Sequence, residues 1–220
     1  MCNSKPYKYK GIIFDLDGVI CHTDQYHYKA WKIIADELGI FFDQKINNKL
    51  RGVSRMESLD IILEEGNVKL SDEDKEVLAT KKNDAYRTYL NDMSPVDLDP
   101  KVLETLKELK AMNLKMAIGS SSKNATFILE KLGLSHFFDA VIDGNSIKES
   151  KPNPEVFDKA RSALQLEKEE CVVVEDAFSG IEAAKNAGMD SIGIGDASKS
   201  EESTYQISEF TDLLGDMFLE

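Results

Sequence analysis

The sequence predicts a doubly wound α/β fold, a parallel sheet with helices on both faces, carrying an inserted all-helical domain. Three observations predict it. Short runs rich in branched apolar residues alternate with amphipathic helical stripes. The runs are apolar almost throughout, as suits parallel strands buried on both faces. One long stretch, from Thr23 to about Met93, has helical periodicity and no convincing strand.

The elements follow in chain order. Residues 9–14 read as the first strand. Ala30, Trp31, Ile34, Ala35 and Leu38 make a helical stripe stopped by Gly39. Leu59, Ile62 and Leu63 make a second, and Val77, Leu78, Tyr86 and Leu90 fall in later helical segments. Ser94-Pro95 marks a boundary, because a residue before proline is pushed out of the helical region. Val102, Leu103, Leu106 and Leu109 then form a helix face ahead of a strand at 114–118. Ala125, Ile128, Leu129 and Leu132 form another, closed by Gly133. A strand at 140–142 precedes Asn153-Pro154, which opens a helix in the favoured cap and first-turn order. Its apolar face is Val156, Phe157, Ala160, Ala163 and Leu164. A strand at 171–174, a helix with Ile181, Ala184 and Ala187 ended by Gly188, and a strand at 191–194 follow. Residues 196–203 read as a polar loop and 210–217 as a short final helix. The expected division is a core of residues 1–22 and 95–220 around a helical insert of residues 23–94.

The bulk properties narrow the function. With 220 residues and 42% hydrophobic content the chain can bury a sizeable core. Its net charge of -13 repels nucleic acid and anionic membrane, so neither is expected as a partner. No apolar run reaches the length of a membrane-spanning helix, about 20 residues. The N-terminus lacks the apolar stretch of a secretory signal, and the residues ahead of the first strand read as a frayed tail. Cys2, Cys21 and Cys171 form no CxxC pair and read as reduced thiols. A cytoplasmic protein is expected, monomeric by default.

Four signals carry chemistry. Asp15 and Asp17, in Phe14-Asp15-Leu16-Asp17-Gly18, stand at the end of a buried strand, where such sheets bind ligands. Two carboxylates there repel each other unless a cation lies near; an Asp-Gly turn reads the same residues as well. Glu175-Asp176 ends a second strand, and oxygen ligands from two strand ends can hold Mg²⁺. An acidic first helical turn is the plainer account of that pair. Gly119-Ser120-Ser121-Ser122-Lys123-Asn124 offers hydroxyls and backbone N–H groups suited to a phosphate, or a common serine-rich cap. Lys151, held between Ser150 and Pro152, can neutralise an oxyanion or merely face water.

Together, in this order and spacing, these signals resemble the haloacid dehalogenase superfamily of phosphotransferases, whose core is Rossmann-like. The resemblance implies that Asp15 is the nucleophile and Asp17 the general acid and base. It implies Mg²⁺ held by Asp15, the backbone carbonyl of Asp17, Glu175 and Asp176, with Ser120 and Lys151 on the transferring phosphoryl group. Asp17 speaks against the dehalogenase branch, which lacks a second aspartate. The stretch from Cys21 to Trp31 (with Thr23, His27 and Trp31), the run Leu50-Arg51-Gly52-Val53-Ser54-Arg55 and the run Lys81-Lys82-Asn83-Asp84 resemble the β-phosphoglucomutase family. That resemblance implies a sugar phosphate as substrate and β-glucose 1,6-bisphosphate as activator and intermediate. Arg55 would grip the distal phosphate, aided by Ser122, Lys123 and Asn124. His27 would help position Asp17, Lys82 would reach the sugar or its phosphate, and Gly52 and Val53 would approach the sugar closely. Arg51, Ser54 and Ser121 belong to the same implied substrate site. His22, Ser121 and Arg51 depart from the usual acidic residue, alanine and lysine. A sugar-phosphate phosphatase, and a binding module without catalysis, remain open on the same residues.

Overall fold

The computed structural model describes residues 8–215. Cys2, the expected N-terminal tail and the last residues of the expected final helix lie outside the described residues. The core is one parallel six-stranded sheet in the order β3-β2-β1-β4-β5-β6. The strands are β1 (Gly11–Phe14), β2 (Lys115–Gly119), β3 (Ala140–Ile142), β4 (Cys171–Glu175), β5 (Asp190–Gly193) and β6 (Tyr205–Gln206). β1 is central, with Phe14 beside Ile118 of β2 and Val174 of β4. Alternation along the strands splits the core into two layers. Ile12, Phe14, Met116, Ile118, Val172 and Val174 face α5 (Pro100–Ala111) and α6 (Ala125–Lys131). Ile13, Ala117, Cys171 and Val173 face α7 (Glu155–Leu164) and α8 (Phe178–Asn186). Both faces are therefore covered, which is why the strands are apolar at nearly every position.

Four helices lie between β1 and α5 in sequence: α1 (Asp24–Glu37), α2 (Gln44–Asn48), α3 (Arg55–Glu65) and α4 (Asp72–Asn91). They bury an apolar cluster of their own that includes Trp31, Ile34, Phe42, Leu59, Ile62 and Leu63. Ala30 of α1 and Tyr86 and Leu90 of α4 pack instead into the core layer beneath β1. Local chemistry sets the helix starts. Ser54 and Glu57 form a reciprocal capping box on α3, and Ser71 caps α4 through the Asp74 N–H. Asn153 lies just ahead of α7, its side chain accepting from the Glu155 N–H at 2.9 Å, and the cap position falls on Pro154, one residue later than expected.

Two elements escape the sequence pattern. β6 lies in the expected polar tail, and α2 is a single short turn capped by Asp43. The final helix is a 3₁₀ turn over Phe210–Leu214, whose Phe210 and Leu213 close the core under α5. No helix among the described residues is long and apolar enough to cross a membrane.

Candidate active site

The strand order reverses at β1, with β2 and β3 on one side and β4 on the other. In such sheets the crevice beyond the carboxyl ends of those strands is the ligand site. Asp15 directly follows β1, and its backbone N–H donates to Val174 O at 2.9 Å, which fixes it beside β4. Glu175 ends β4 and Asp176 follows it. Oxygen atoms of Asp15, Glu175 and Asp176 lie within 4.8 Å of one another, all three residues being buried. The turn after Asp15 is tight. Gly18 has φ +92°, and a Cβ there would stand 2.1 Å from the Asp176 carboxylate. Only glycine fits both the backbone and the space.

Lys151, 1% exposed, reaches the same cluster from the loop before α7. Its Nζ donates to Asp15 Oδ1 and, at 2.6 Å, to Glu175 Oε1. Burial disfavours its charge, but the two carboxylates outweigh burial and hold it above the usual lysine range. The acids remain short of positive charge. Burial pushes Asp15 up to about 7; Lys151 opposes this while Glu175 and Asp17 add to it. Burial, then Glu175 and Asp15, push Asp176 up to about 9 against the pull of Arg51. Asp17 accepts a hydrogen bond from the Thr23 hydroxyl. Burial raises it to about 6, offset by Thr23 and reinforced by Asp24.

A cavity of about 410 Å³ opens over this cluster, walled on one side by the sheet ends and on the other by the helical insert. From the core come Asp15, Asp17, Ser120, Ser121, Ser122, Lys123, Asn124, Glu175 and Asp176. From the insert come His27, Trp31, Arg51, Gly52, Val53, Ser54, Arg55 and Lys82. Thr23 and Lys151 stand behind the wall, hydrogen-bonded to Asp17 and Asp15. The serine loop is stiffened by its own hydroxyls: the Ser122 N–H donates to Ser120 Oγ at 3.1 Å and the Asn124 N–H to Ser122 Oγ at 3.2 Å. Ser54 lines the cavity, but its hydroxyl is engaged in the α3 cap.

His27 and Lys82 meet rather than face water. Lys82 is 3% exposed, 2.9 Å from His27 Nδ1 and 4.5 Å from the centre of the Tyr86 ring. Burial, then Arg55, lowers Lys82 to about 7 against the pull of Asp17. Burial, then Lys82 and Arg55, holds His27 well below the usual imidazole range. His27 is therefore neutral and able to accept from a lysine ammonium. The bond that fixes Asp17 comes from Thr23.

The sequence reading did not single out several residues that the structure places at the site. Asp24 pairs with Arg51 at 2.6 Å, and Asp196 takes the other guanidinium nitrogen at 3.0 Å. Asn83 joins Arg55 to Asn124. Tyr86 stacks under His27, with ring centres 4.1 Å apart. These are contacts between distant segments, so the pairings carry no local signal, although Asp24 and Asn83 lie within the runs that carry the resemblance.

The all-oxygen acidic cluster beside a lysine, under a lid of cations, is the arrangement expected of a phosphoryl-transfer site. A family model described as haloacid dehalogenase-like hydrolase matches residues 12–194. The chain belongs to this family. Within it, the chain is similar to the β-phosphoglucomutase of Bacillus subtilis, with 40% identity over 188 residues, 84% of this chain and 83% of the relative. It is also similar to a fructose-1-phosphate phosphatase of Escherichia coli, with 33% identity over 189 residues, 85% of this chain and 97% of the relative. A crystal structure of β-phosphoglucomutase from Clostridium difficile matches the fold with a TM-score of 0.89 and 38% identity over 94% of each chain.

Proposed function

We propose that the chain is a β-phosphoglucomutase, interconverting β-D-glucose 1-phosphate and glucose 6-phosphate through β-glucose 1,6-bisphosphate. One observation carries the reading. The cavity that holds the acidic strand ends is also lined by Arg55 and Lys123, neither of them ion-paired with a carboxylate among the described residues. A mutase must hold a second phosphate away from the reacting one, and unpaired cations supply that grip. The similarity to two β-phosphoglucomutases supports the same choice.

Asp15 attacks phosphorus through a carboxylate oxygen, the bond to the sugar oxygen breaks, and that oxygen takes the proton held by Asp17. On the return step Asp17 removes the proton from the other sugar hydroxyl as it attacks the aspartyl-phosphate. Lys151 steadies Asp15 from behind the cavity wall and would share the charge of the transferring oxygens across that carboxylate. The donor set of Asp15, Glu175 and Asp176 fits Mg²⁺, with the Asp17 carbonyl nearby in sequence. Bound there, Mg²⁺ would offset the repulsion between anionic nucleophile and anionic phosphate. The insert, docked on the core, would keep water from the phosphoenzyme.

The test is ³¹P NMR of β-glucose 1-phosphate with enzyme, Mg²⁺ and a trace of the bisphosphate. The glucose 6-phosphate resonance is expected to grow at the expense of the 1-phosphate. Growth of inorganic phosphate alone would leave the second reading, a sugar-phosphate phosphatase. That reading draws on the similarity to the fructose-1-phosphate phosphatase.

A further inference from the structure

We propose that Asn83 is a positioning residue for the second phosphate: braced by Asn124, it orients Arg55 toward the cavity without neutralising the arginine. The inference rests on the two-phosphate reading above. Asn83 lies behind the cavity wall, one residue after Lys82 on α4. Its side-chain oxygen accepts twice, from an Arg55 guanidinium nitrogen at 2.8 Å and from the Asn124 carboxamide nitrogen at 2.9 Å. Arg55 belongs to the helical insert and Asn124 to the core, so one atom ties the two walls of the site together.

The hydrogen-bond chemistry fixes the direction of every group in this chain. A guanidinium only donates, so Asn83 must turn its oxygen to Arg55. Asn124 must then present its amino group to that oxygen, which leaves its own oxygen facing Arg87, whose NH1 donates to it at 3.4 Å. Asn124 is buried, so its orientation is set by these partners rather than by solvent.

The choice of amide over acid is what matters. Arg55 is half-buried, and burial lowers its proton affinity, opposed by Asp84. A carboxylate in place of the Asn83 amide would hold the guanidinium just as firmly. It would also cancel the charge, placing a negative group directly behind the guanidinium that meets the phosphate. A neutral acceptor fixes the geometry and leaves the charge for the ligand. The class of ligand implied is a sugar carrying a dianionic phosphate remote from the acidic cluster.

The experiment compares Asn83→Asp, Asn83→Ser and Arg55→Ala with the parent protein, using β-glucose 1,6-bisphosphate and acetyl phosphate as alternative phosphoryl donors to Asp15. Acetyl phosphate has no second phosphate and reports the acidic cluster alone. For Asn83→Asp, the KM for the bisphosphate is expected to rise by about tenfold or more, with less than about a twofold change for acetyl phosphate. Asn83→Ser keeps a neutral acceptor and is expected to lie between this variant and the parent. A parallel loss with both donors, tracking a lower Tm, would mean a structural role only and overturn the proposal. An unchanged bisphosphate KM in Asn83→Asp beside a raised one in Arg55→Ala would also overturn it, leaving the two-phosphate reading intact. An unchanged KM in Arg55→Ala as well would remove that reading itself.

Discussion

At the scale of single residues, the site separates two carboxylates by their surroundings. Asp15 is locked to Lys151, while Asp17 rests on the Thr23 hydroxyl with its pKa pushed up to about 6. The first suits a nucleophile that must stay aligned, and the second an acid that must trade a proton near neutral pH. Asp17→Asn is therefore expected to lower kcat for the sugar phosphate by about 10²- to 10⁴-fold. Phosphorylation by acetyl phosphate should fall far less, because acetate leaves without a proton. Steady-state kinetics with both donors checks this; equal losses would take the proton-transfer role from Asp17. How much of this is legible in the sequence depends on how local the chemistry is. Asp15, Asp17, Glu175 and Asp176 stand out because acids at the ends of apolar strands are costly without a purpose. Lys82 resembles any surface lysine beside Lys81; only the fold shows Lys81 paired with Glu37 in solvent and Lys82 buried against Trp31 and Tyr86. Asn83 and Asp24 fall in runs that carry the family resemblance, but their contacts with Arg55, Asn124 and Arg51, like that of Asp196, cannot be read from the sequence, since the partners lie far along the chain.

At the scale of elements, β1 and β4 lie side by side in parallel and so end together, which forces their terminal acids into one buried space. The strands are legible from composition, since β-branched runs buried on both faces leave little alternative. β6, two residues at the sheet edge, and α2, one turn, are too short to impose a period. The crowding of acids has a thermodynamic consequence. Asp15 and Asp176 have folded pKa values of about 7 and about 9, above the ordinary 3.8. Between the unfolded and folded values the folded chain binds more protons than the unfolded one. Their contribution is thus fully present below pH 3.8 and is lost as pH rises through about 7 and then about 9. A cation that binds only the ionised cluster reverses this trend. In EDTA the Tm is expected to fall over that range, and saturating Mg²⁺ should remove most of the fall, the gap between the two curves widening with pH. Scanning calorimetry across the pH range checks this. A constant gap would mean that the cluster is already ionised without metal, and coincident curves that it does not bind Mg²⁺.

At the scale of the whole molecule, the insert is tied to the core by two chain crossings and by the loop at Arg51 and Gly52. Gly52 lies so close to the core that a Cβ would stand 2.2 Å from Ser179 Oγ, and its carbonyl accepts from the Ser121 hydroxyl at 3.2 Å. Arg51 bridges Asp24 at the start of α1 and Asp196 beyond β5, one through each terminal nitrogen, with Asp176 at 3.7 Å. A planar fork can hold two carboxylates in different directions, whereas a lysine at this position would have to choose. Arg51 thus acts as a clasp between insert, crossing and core. Its pairs are partly exposed, so screening limits them to about 1 kcal/mol in total, about a fivefold shift in the balance between docked and undocked insert. Arg51→Met is expected to raise the KM for the sugar phosphate by about that factor and to increase the radius of gyration in X-ray scattering without substrate. Arg51→Lys should fall between, keeping one pair of the two. Added salt should move the parent protein toward the variant and leave Arg51→Met nearly unchanged, because only the parent has the pairs to screen. If parent and Arg51→Met scatter identically and respond alike to salt, the insert is held by the Gly52 contacts and the two crossings alone.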